Sequence, residues 1–359
     1  MITASTWQGE LRAAVTSVGE LLHLLDLPVT GALDLREQLQ FPVRVPRSFI
    51  TRMRPRDWND PLLRQVLPLA AERASVAGFG PDPLNEASAR RAPGLLQKYA
   101  GRALLIATGS CAVHCRYCFR REFPYQEHHD GVARWASALA ALAADPTVHE
   151  VILSGGDPLS LSTDRLRMLV DALTAIPHVR RLRIHTRLPI VLPARIDAEL
   201  LEWLRGLALP LVIVLHANHG NEIDADVRRA CSQLKSANAV LLNQSVLLRG
   251  INDTEDALAA LSEALFDAGV MPYYLHLLDR VSGTAHFEVD EASARKLLGR
   301  IASRLPGYLV PRLVRELAGA AAKVALLPEF CEPGPLFIRK DAAGRRQTDV
   351  KLSRPDVAV

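Results

Sequence analysis

Two hydrophobic rhythms divide the chain. From Trp7 to Leu27 apolar residues return at helical spacing, at Leu11, Val15, Val18, Leu21, Leu22 and Leu25, until Pro28 stops the run. Residues 1–95 therefore read as a helical, proline-punctuated N-terminal region. From Ala103 onward short β-rich runs alternate with amphipathic stretches. The expected strands are Ala103–Ala107, Val151–Ser154, Leu182–Thr186, Leu211–His216, Val240–Gln244 and Pro272–His276. Between them lie helical patterns over Val132–Ala144, Asp164–Ala175, Asp197–Leu207, Ile223–Ala237 and Asp256–Ala268. Six strand-then-helix units predict an α/β fold with a parallel sheet and helices outside, as a partial barrel or a doubly wound sheet. In both, chemistry sits at the carboxyl ends of the strands. Polar and glycine residues gather there: Gly109-Ser110-Cys111, Ser154-Gly155-Gly156-Asp157, His185-Thr186-Arg187, His216 with Asn218 and His219, Asn243-Gln244-Ser245, and Asp279.

Composition changes this picture little. The 359 residues are 49% hydrophobic and 23% charged, enough for one large core with an appendage. The expected organisation is 1–95, a barrel over 96–305, and a C-terminal segment over 306–359 ending in a polar tail. Net charge is only +4 and basic residues occur in scattered pairs, which argues against nucleic acid as a partner. No apolar stretch reaches the ~18 residues of a membrane span, and the N-terminus has no signal-peptide pattern; a cytoplasmic protein is expected. Of five cysteines, three fall within eight residues, which suits a bound metal in a reducing compartment better than disulfides.

Those three, Cys111, Cys115 and Cys118, form a C-x3-C-x2-C array on the loop after the first barrel strand. Three thiolates at this spacing can hold three corners of a cubane iron-sulfur cluster and leave the fourth iron open. The competing reading is a zinc site completed by His114 or a distant ligand, but structural zinc usually shows two paired ligand sets and no second pair is present. Cys231 and Cys331 stand alone and read as packed thiols. With Tyr117 before the third cysteine, the array resembles the signature of radical S-adenosylmethionine enzymes. The resemblance implies a partial (β/α)6 barrel, a 4Fe-4S cluster and S-adenosylmethionine chelated at the open iron. Ser154, Gly155, Gly156 and Asp157 match that family's glycine motif near the methionyl amine.

Lys323 is the only one of six lysines set in a long apolar run, Gly319 to Leu327. Burial would disfavour its ammonium and make it a nucleophile; alone, a lysine snorkelling from a helix edge is the plainer reading. Longer matches favour the first. From about Asn59 to Pro328 the chain resembles the lysine 2,3-aminomutase family, through Tyr99-Ala100-Gly101-Arg102, Cys118-Phe119-Arg120-Arg121, Arg187-Leu188-Pro189-Ile190-Val191-Leu192-Pro193, His216-Ala217-Asn218-His219, Asn243 to Gly250, and Pro272-Tyr273-Tyr274. The resemblance implies that Lys323 binds pyridoxal 5'-phosphate, that Arg102 contacts its phosphate, and that Tyr99, His216 and Gln244 are further cofactor contacts. It also implies that Asp279 and Glu316 hold the distal ammonium of substrate lysine and Arg120 its carboxylate. Standing alone these three would read as ordinary salt-bridge partners; together they describe an α,ω-diamino acid.

The implied reaction is a radical 1,2-amino shift from L-lysine to β-lysine, with a flavodoxin- or ferredoxin-like reductant as partner. Fermentative members carry a longer, cysteine-rich C-terminal region for zinc between subunits. Here the sequence runs 36 residues past Lys323 with only Cys331, and Thr254 replaces an upstream cysteine. The resemblance is strongest to the branch making (R)-β-lysine for elongation factor P, with the ligase acting on that factor as a further partner. The alternatives are a fermentative-type enzyme, a glutamate 2,3-aminomutase, which would need a cationic distal pocket, and a non-catalytic iron-sulfur or zinc module.

Overall fold

A computed structural model describes residues 6–29, 41–124, 132–330, 339–340 and 346–347. Cys331 and most of the polar tail lie outside the described residues. One sheet of ten strands organises the chain: β1 (Arg90–Ala92), β2 (Leu95–Tyr99), β3 (Arg102–Thr108), β4 (Glu150–Gly155), β5 (Arg181–Thr186), β6 (Leu211–Leu215), β7 (Val240–Val246), β8 (Met271–His276), β9 (Arg312–Arg315) and β10 (Val324–Ala325). Strands neighbour one another in strict sequence order. Pairing is parallel from β3 through β9 and antiparallel for β1–β2, β2–β3 and β9–β10. A doubly wound sheet needs a point where strand order reverses; this order never does, so the sheet winds one way as a partial barrel.

The helices Val132–Ala144, Thr163–Thr174, Ala198–Arg205, Ala225–Ser236 and Glu255–Asp267 follow β3 to β7 in turn, and Glu291–Arg304 precedes β9. Their starts are legible in the sequence. Ser162, Asp197, Asp224, Thr254 and Asp290 each accept a backbone N–H of the first turn, satisfying donors that a helix leaves unpaired. Leucine and valine from the helices between β4 and β8 bury against the sheet in a cluster that also takes Val18, Leu21 and Leu22 from the N-terminal region, and Leu297, Leu298 and Ile301 of the last helix bury in a second cluster with Leu275 and Leu313.

Three features depart from the sequence reading. The Trp7–Leu27 run is two helices, Trp7–Arg12 and Val18–Leu24. Between them Val15 exchanges backbone hydrogen bonds with Val45, and Ser17 caps the second helix; β-branched Val15 and Thr16 favour that extended break. Within the region expected to be helical, residues 90–92 instead form β1. Strand β9 is a seventh parallel strand that four residues flanked by arginines did not announce. Among the described residues no helix is long and apolar enough to cross a membrane.

Candidate active site

A cavity of about 530 Å³ opens at the carboxyl ends of β3 to β8, and every residue singled out above as catalytic, substrate-binding, cofactor-binding or cluster-binding lines it. The topology explains most of the convergence, because in a singly wound barrel the parallel strands deliver their last residues to the same mouth; Arg102, which opens β3, and Tyr99, which ends antiparallel β2, line the cavity from the opposite end of the sheet.

The loop after β3 carries Cys111, Cys115 and Cys118, and the turn after β4 is pressed against it. Gly156 N donates to the Thr108 carbonyl at 2.8 Å and Asp157 N to that of Ser110 at 2.7 Å. A Cβ on Gly156 would collide with the Ser110 backbone, and Gly155 has φ +121° with the Thr108 carbonyl in the way; only glycine fits either position. Asp157 has a bracing task. Its carboxylate accepts Thr186 Oγ1 at 2.7 Å and the backbone N–H of Leu159, Arg187 and Leu188 at 3.0, 2.7 and 3.1 Å. One buried side chain thus ties the glycine turn to the end of β5.

From there Arg187 reaches back to the cysteines. Its guanidinium donates to Cys115 Sγ at 2.7 Å, Tyr117 Oη at 2.6 Å, Gln65 Oε1 at 2.7 Å and Glu222 Oε2 at 3.0 Å. Burial, then the neighbouring thiols and Asp157, pushes the Cys111 thiol up; burial and Cys115 push Cys118 up to about 11. Such a trio sheds its protons only against a strong positive charge, as iron supplies. Among the described residues no three His, Cys, Asp or Glu side chains are gathered to grip a metal ion.

The opposite wall is a chain of alternating charges. Glu316 is ion-paired to Lys323 and to Lys98, the latter at 3.1 Å. Lys98 also meets Glu86 at 3.3 Å. Glu86 grips Arg120 through two 2.8 Å bonds, Nε to Oε2 and Nη2 to Oε1, while Arg120 Nη1 donates to Ser154 Oγ at 3.1 Å. Burial raises the Glu316 carboxyl, but Lys323 and Lys98 outweigh it and hold it down to about 2. Asp279 is pushed up to about 7 by burial and then by Glu316. The two acids therefore differ: Glu316 is an anion already partnered, and Asp279 is about half protonated near neutrality.

Lys323 is part-buried, in a run that is itself largely exposed. Ala321, Ala322 and Val324 are exposed, because the run forms a turn and the two-residue edge strand β10, too short to be covered. Its amine is aimed into the cavity by the pair with Glu316 and lies 5.9 Å from the Tyr274 ring. Arg102 stacks on Tyr99 at 4.6 Å. Among the described residues the Nε2 atoms of His185, His216 and His276 are buried with no hydrogen-bond partner. Buried polar atoms ordinarily find one, so these fit an enclosed polar ligand, as do the cationic Lys98 and Arg102 beside Lys323 for a phosphate-bearing cofactor.

Sequence reasoning missed Glu86, Lys98, Gln65 and Glu222, and quoted Arg187 without a role. Nothing local marks Glu86, which sits in a single 3-10 turn, Glu86–Ala89. The specific Asn243–Gly250 run is largely architecture. Asn243 bonds both N–H and C=O of Ala217, Asn218 accepts Val246 N, and Asn252 accepts Leu248 N and donates to the carbonyls of Asn218 and Val246. These amides replace ladder bonds where strands splay at the mouth.

Residues 100–180 match the family model described as a 4Fe-4S single cluster domain. The chain is 49% identical over 322 residues to a protein of Escherichia coli K12 named L-lysine 2,3-aminomutase, covering 89% of this chain and 94% of that one. A protein of the same name from Haemophilus influenzae is 44% identical over 318 residues, 88% and 94% of the two chains. One from Clostridium subterminale is 33% identical over 328 residues, 90% and 78%.

Proposed function

The chain belongs to the L-lysine 2,3-aminomutase family, and on that premise we propose that its cavity moves the amino group of L-lysine from the α- to the β-carbon. It is a radical S-adenosylmethionine isomerase that uses a 4Fe-4S cluster, S-adenosylmethionine and pyridoxal 5'-phosphate. In this reading Cys111, Cys115 and Cys118 hold the cluster, and the Ser154-Gly155-Gly156 turn, with His216 and Gln244, faces S-adenosylmethionine. Lys323 attaches pyridoxal phosphate, with Arg102 and Tyr99 on its phosphate side. When bound, these groups supply an organic radical for hydrogen abstraction and an electron sink through which nitrogen can migrate.

The single observation that carries the substrate assignment is the set of charges that line one cavity: the Arg120 guanidinium, the Asp279 and Glu316 carboxylates, and the amine of Lys323. Arg120 receives the substrate carboxylate. Its fork is pre-set by Glu86, so orientation costs little when lysine arrives. Asp279 receives the distal ammonium and gives up its proton as it does so. Glu316 keeps the Lys323 amine pointed at the cavity, where it would hold pyridoxal phosphate, and adds its charge to the distal pocket. A glutamate substrate would set its own carboxylate against these two, and like charges there repel.

Protein reconstituted anaerobically with iron, sulfide and pyridoxal phosphate, then given S-adenosylmethionine, reductant and L-lysine, should form β-lysine and leave L-glutamate unchanged. Turnover of glutamate with none of lysine overturns the distal-pocket assignment. We place this chain in the branch making the R enantiomer for elongation factor P, in the reducing cytoplasm, with a flavodoxin or ferredoxin as reductant and that factor's ligase downstream. The reading is supported by higher identity to relatives it covers at 94% than to the Clostridium protein it covers at 78%. Product chirality tests it: S-β-lysine refutes the branch.

A further inference from the structure

The Cys115 corner is wired to the protein as a charged hydrogen-bond terminus. Arg187 Nη1 splits its two hydrogens between Cys115 Sγ at 2.7 Å and Tyr117 Oη at 2.6 Å. The Tyr117 hydroxyl itself hydrogen-bonds Cys115. Nη2 is spent on Gln65 Oε1 and Glu222 Oε2. Glu222 is in turn fixed by Gln65 Nε2 at 3.1 Å and by the backbone N–H of Asn218 and His219 at 2.9 and 3.1 Å. The Arg187 backbone N–H is anchored on Asp157, and the guanidinium lies over the rings of Phe49 and Tyr117 at 5.4 and 5.6 Å. Arg187 and Glu222 are buried to 6% and 0% side-chain exposure. So rigid a charge, aimed at one sulfur, is more than folding requires.

We propose that Arg187, aided by the Tyr117 hydroxyl, tunes the reduction potential of the cluster through Cys115, as a positioning residue rather than a catalytic one. The proposal rests on the reading of the three cysteines as cluster ligands. Donors to a ligating sulfur draw electron density from the cluster and favour the state carrying one more electron, which raises the potential. Glu222 cancels the net charge of Arg187 at a distance. The pair then acts as a local dipole whose positive end touches the sulfur, and its effect falls on this corner above all. The consequence is that [4Fe-4S]2+ accepts its single electron from an external donor at a less negative potential than a bare cysteine corner would allow.

The test is an EPR-monitored potentiometric titration of reconstituted protein without S-adenosylmethionine, using dithionite and mediators. Iron and sulfide are counted in each sample. Arg187→Lys keeps the charge but lacks the fork. At the wild-type midpoint its reduced-to-oxidised ratio should fall about tenfold, a one-electron shift of about 59 mV to more negative potential. Tyr117→Phe removes one donor without disturbing the Arg187–Glu222 pair and should move the ratio two- to threefold the same way. If Arg187→Lys fails to assemble a cluster, Tyr117→Phe decides. Full cluster content with wild-type midpoints overturns the proposal and leaves the lysine reading intact. A wild-type protein that takes up no cluster overturns both.

Discussion

The two walls of the cavity are held by different physics. On the cysteine wall Asp157, Arg187, Gln65 and Glu222 are buried and bonded to backbone or to one another on nearly every side. On the lysine wall Lys98 and Lys323 keep 20% side-chain exposure each and Glu316 13%, and they are tied by ion pairs whose partners can be exchanged. The contrast follows from the task. In the function proposed above, cluster ligands would have to stay put through assembly and electron transfer, whereas Lys323 would leave Glu316 on holding a cofactor and Asp279 would lose its proton on receiving an ammonium.

Asp157→Ala should break the contrast most. It would leave the buried backbone N–H groups of Leu159 and Arg187 and the Thr186 hydroxyl hydrogen unpaired, while Leu188 N keeps its bond to Thr186 Oγ1, at about 1–3 kcal/mol each and not fully additive. A loss of about 4 kcal/mol in urea unfolding, with little iron retained, is expected; a loss under 1 kcal/mol would mean the cysteine wall is not braced as described.

Glu86→Gln tests the alternating chain from its middle. With the charged half of the Arg120 clamp weakened, lysine KM should rise about tenfold, some 1.4 kcal/mol, while kcat moves less. An equal fall in kcat with unchanged KM would assign Glu86 to the chemistry instead.

The Asp279 proton gives a pH signature on the same wall. Because its pKa in the empty site is about 7, lysine affinity should weaken about tenfold from pH 8 to pH 6 and level off above pH 8. Calorimetry in buffers of different ionisation enthalpy should register proton release at pH 6.5 and almost none at pH 8.5. Asp279→Asn should flatten both. For stability the sign is the reverse: a carboxyl raised in the fold favours the folded state fully below its unfolded pKa of about 4, and this is lost as pH rises through about 7.

Lys323→Ala should have the smallest effect on the fold, within about 1 kcal/mol, since a partly exposed ion pair contributes little. It should nevertheless abolish the visible absorbance gained with pyridoxal phosphate. A stability loss as large as that of Asp157→Ala would erase the distinction between the walls.

Much of this was written locally. The alternation of β-rich and amphipathic runs located β3 to β8 and five of the helices, because strand and helix periods are properties of a few neighbouring residues. The cysteine spacing fits a cluster because one loop supplies all three thiols, and Gly155-Gly156 read as a close approach because glycine serves where a Cβ cannot fit. Other features were invisible for an equally physical reason. Strand β9 is four residues long and becomes a strand only by docking on β8. Glu86 lies 34 residues from Arg120 and Lys98 is 218 from Glu316, and no local pattern records which carboxylate a distant barrel strand will face. The apolar run around Lys323 left burial and snorkelling both open, since apolar neighbours imply burial only if something covers them. The sequence alone therefore determined the kind of fold and the chemical groups at its mouth, which depend on residue type and short-range spacing. Only the tertiary structure decided which charges meet, which protons are held, and which side chains are braced or free to exchange, because those depend on burial and on contacts between segments far apart in the chain.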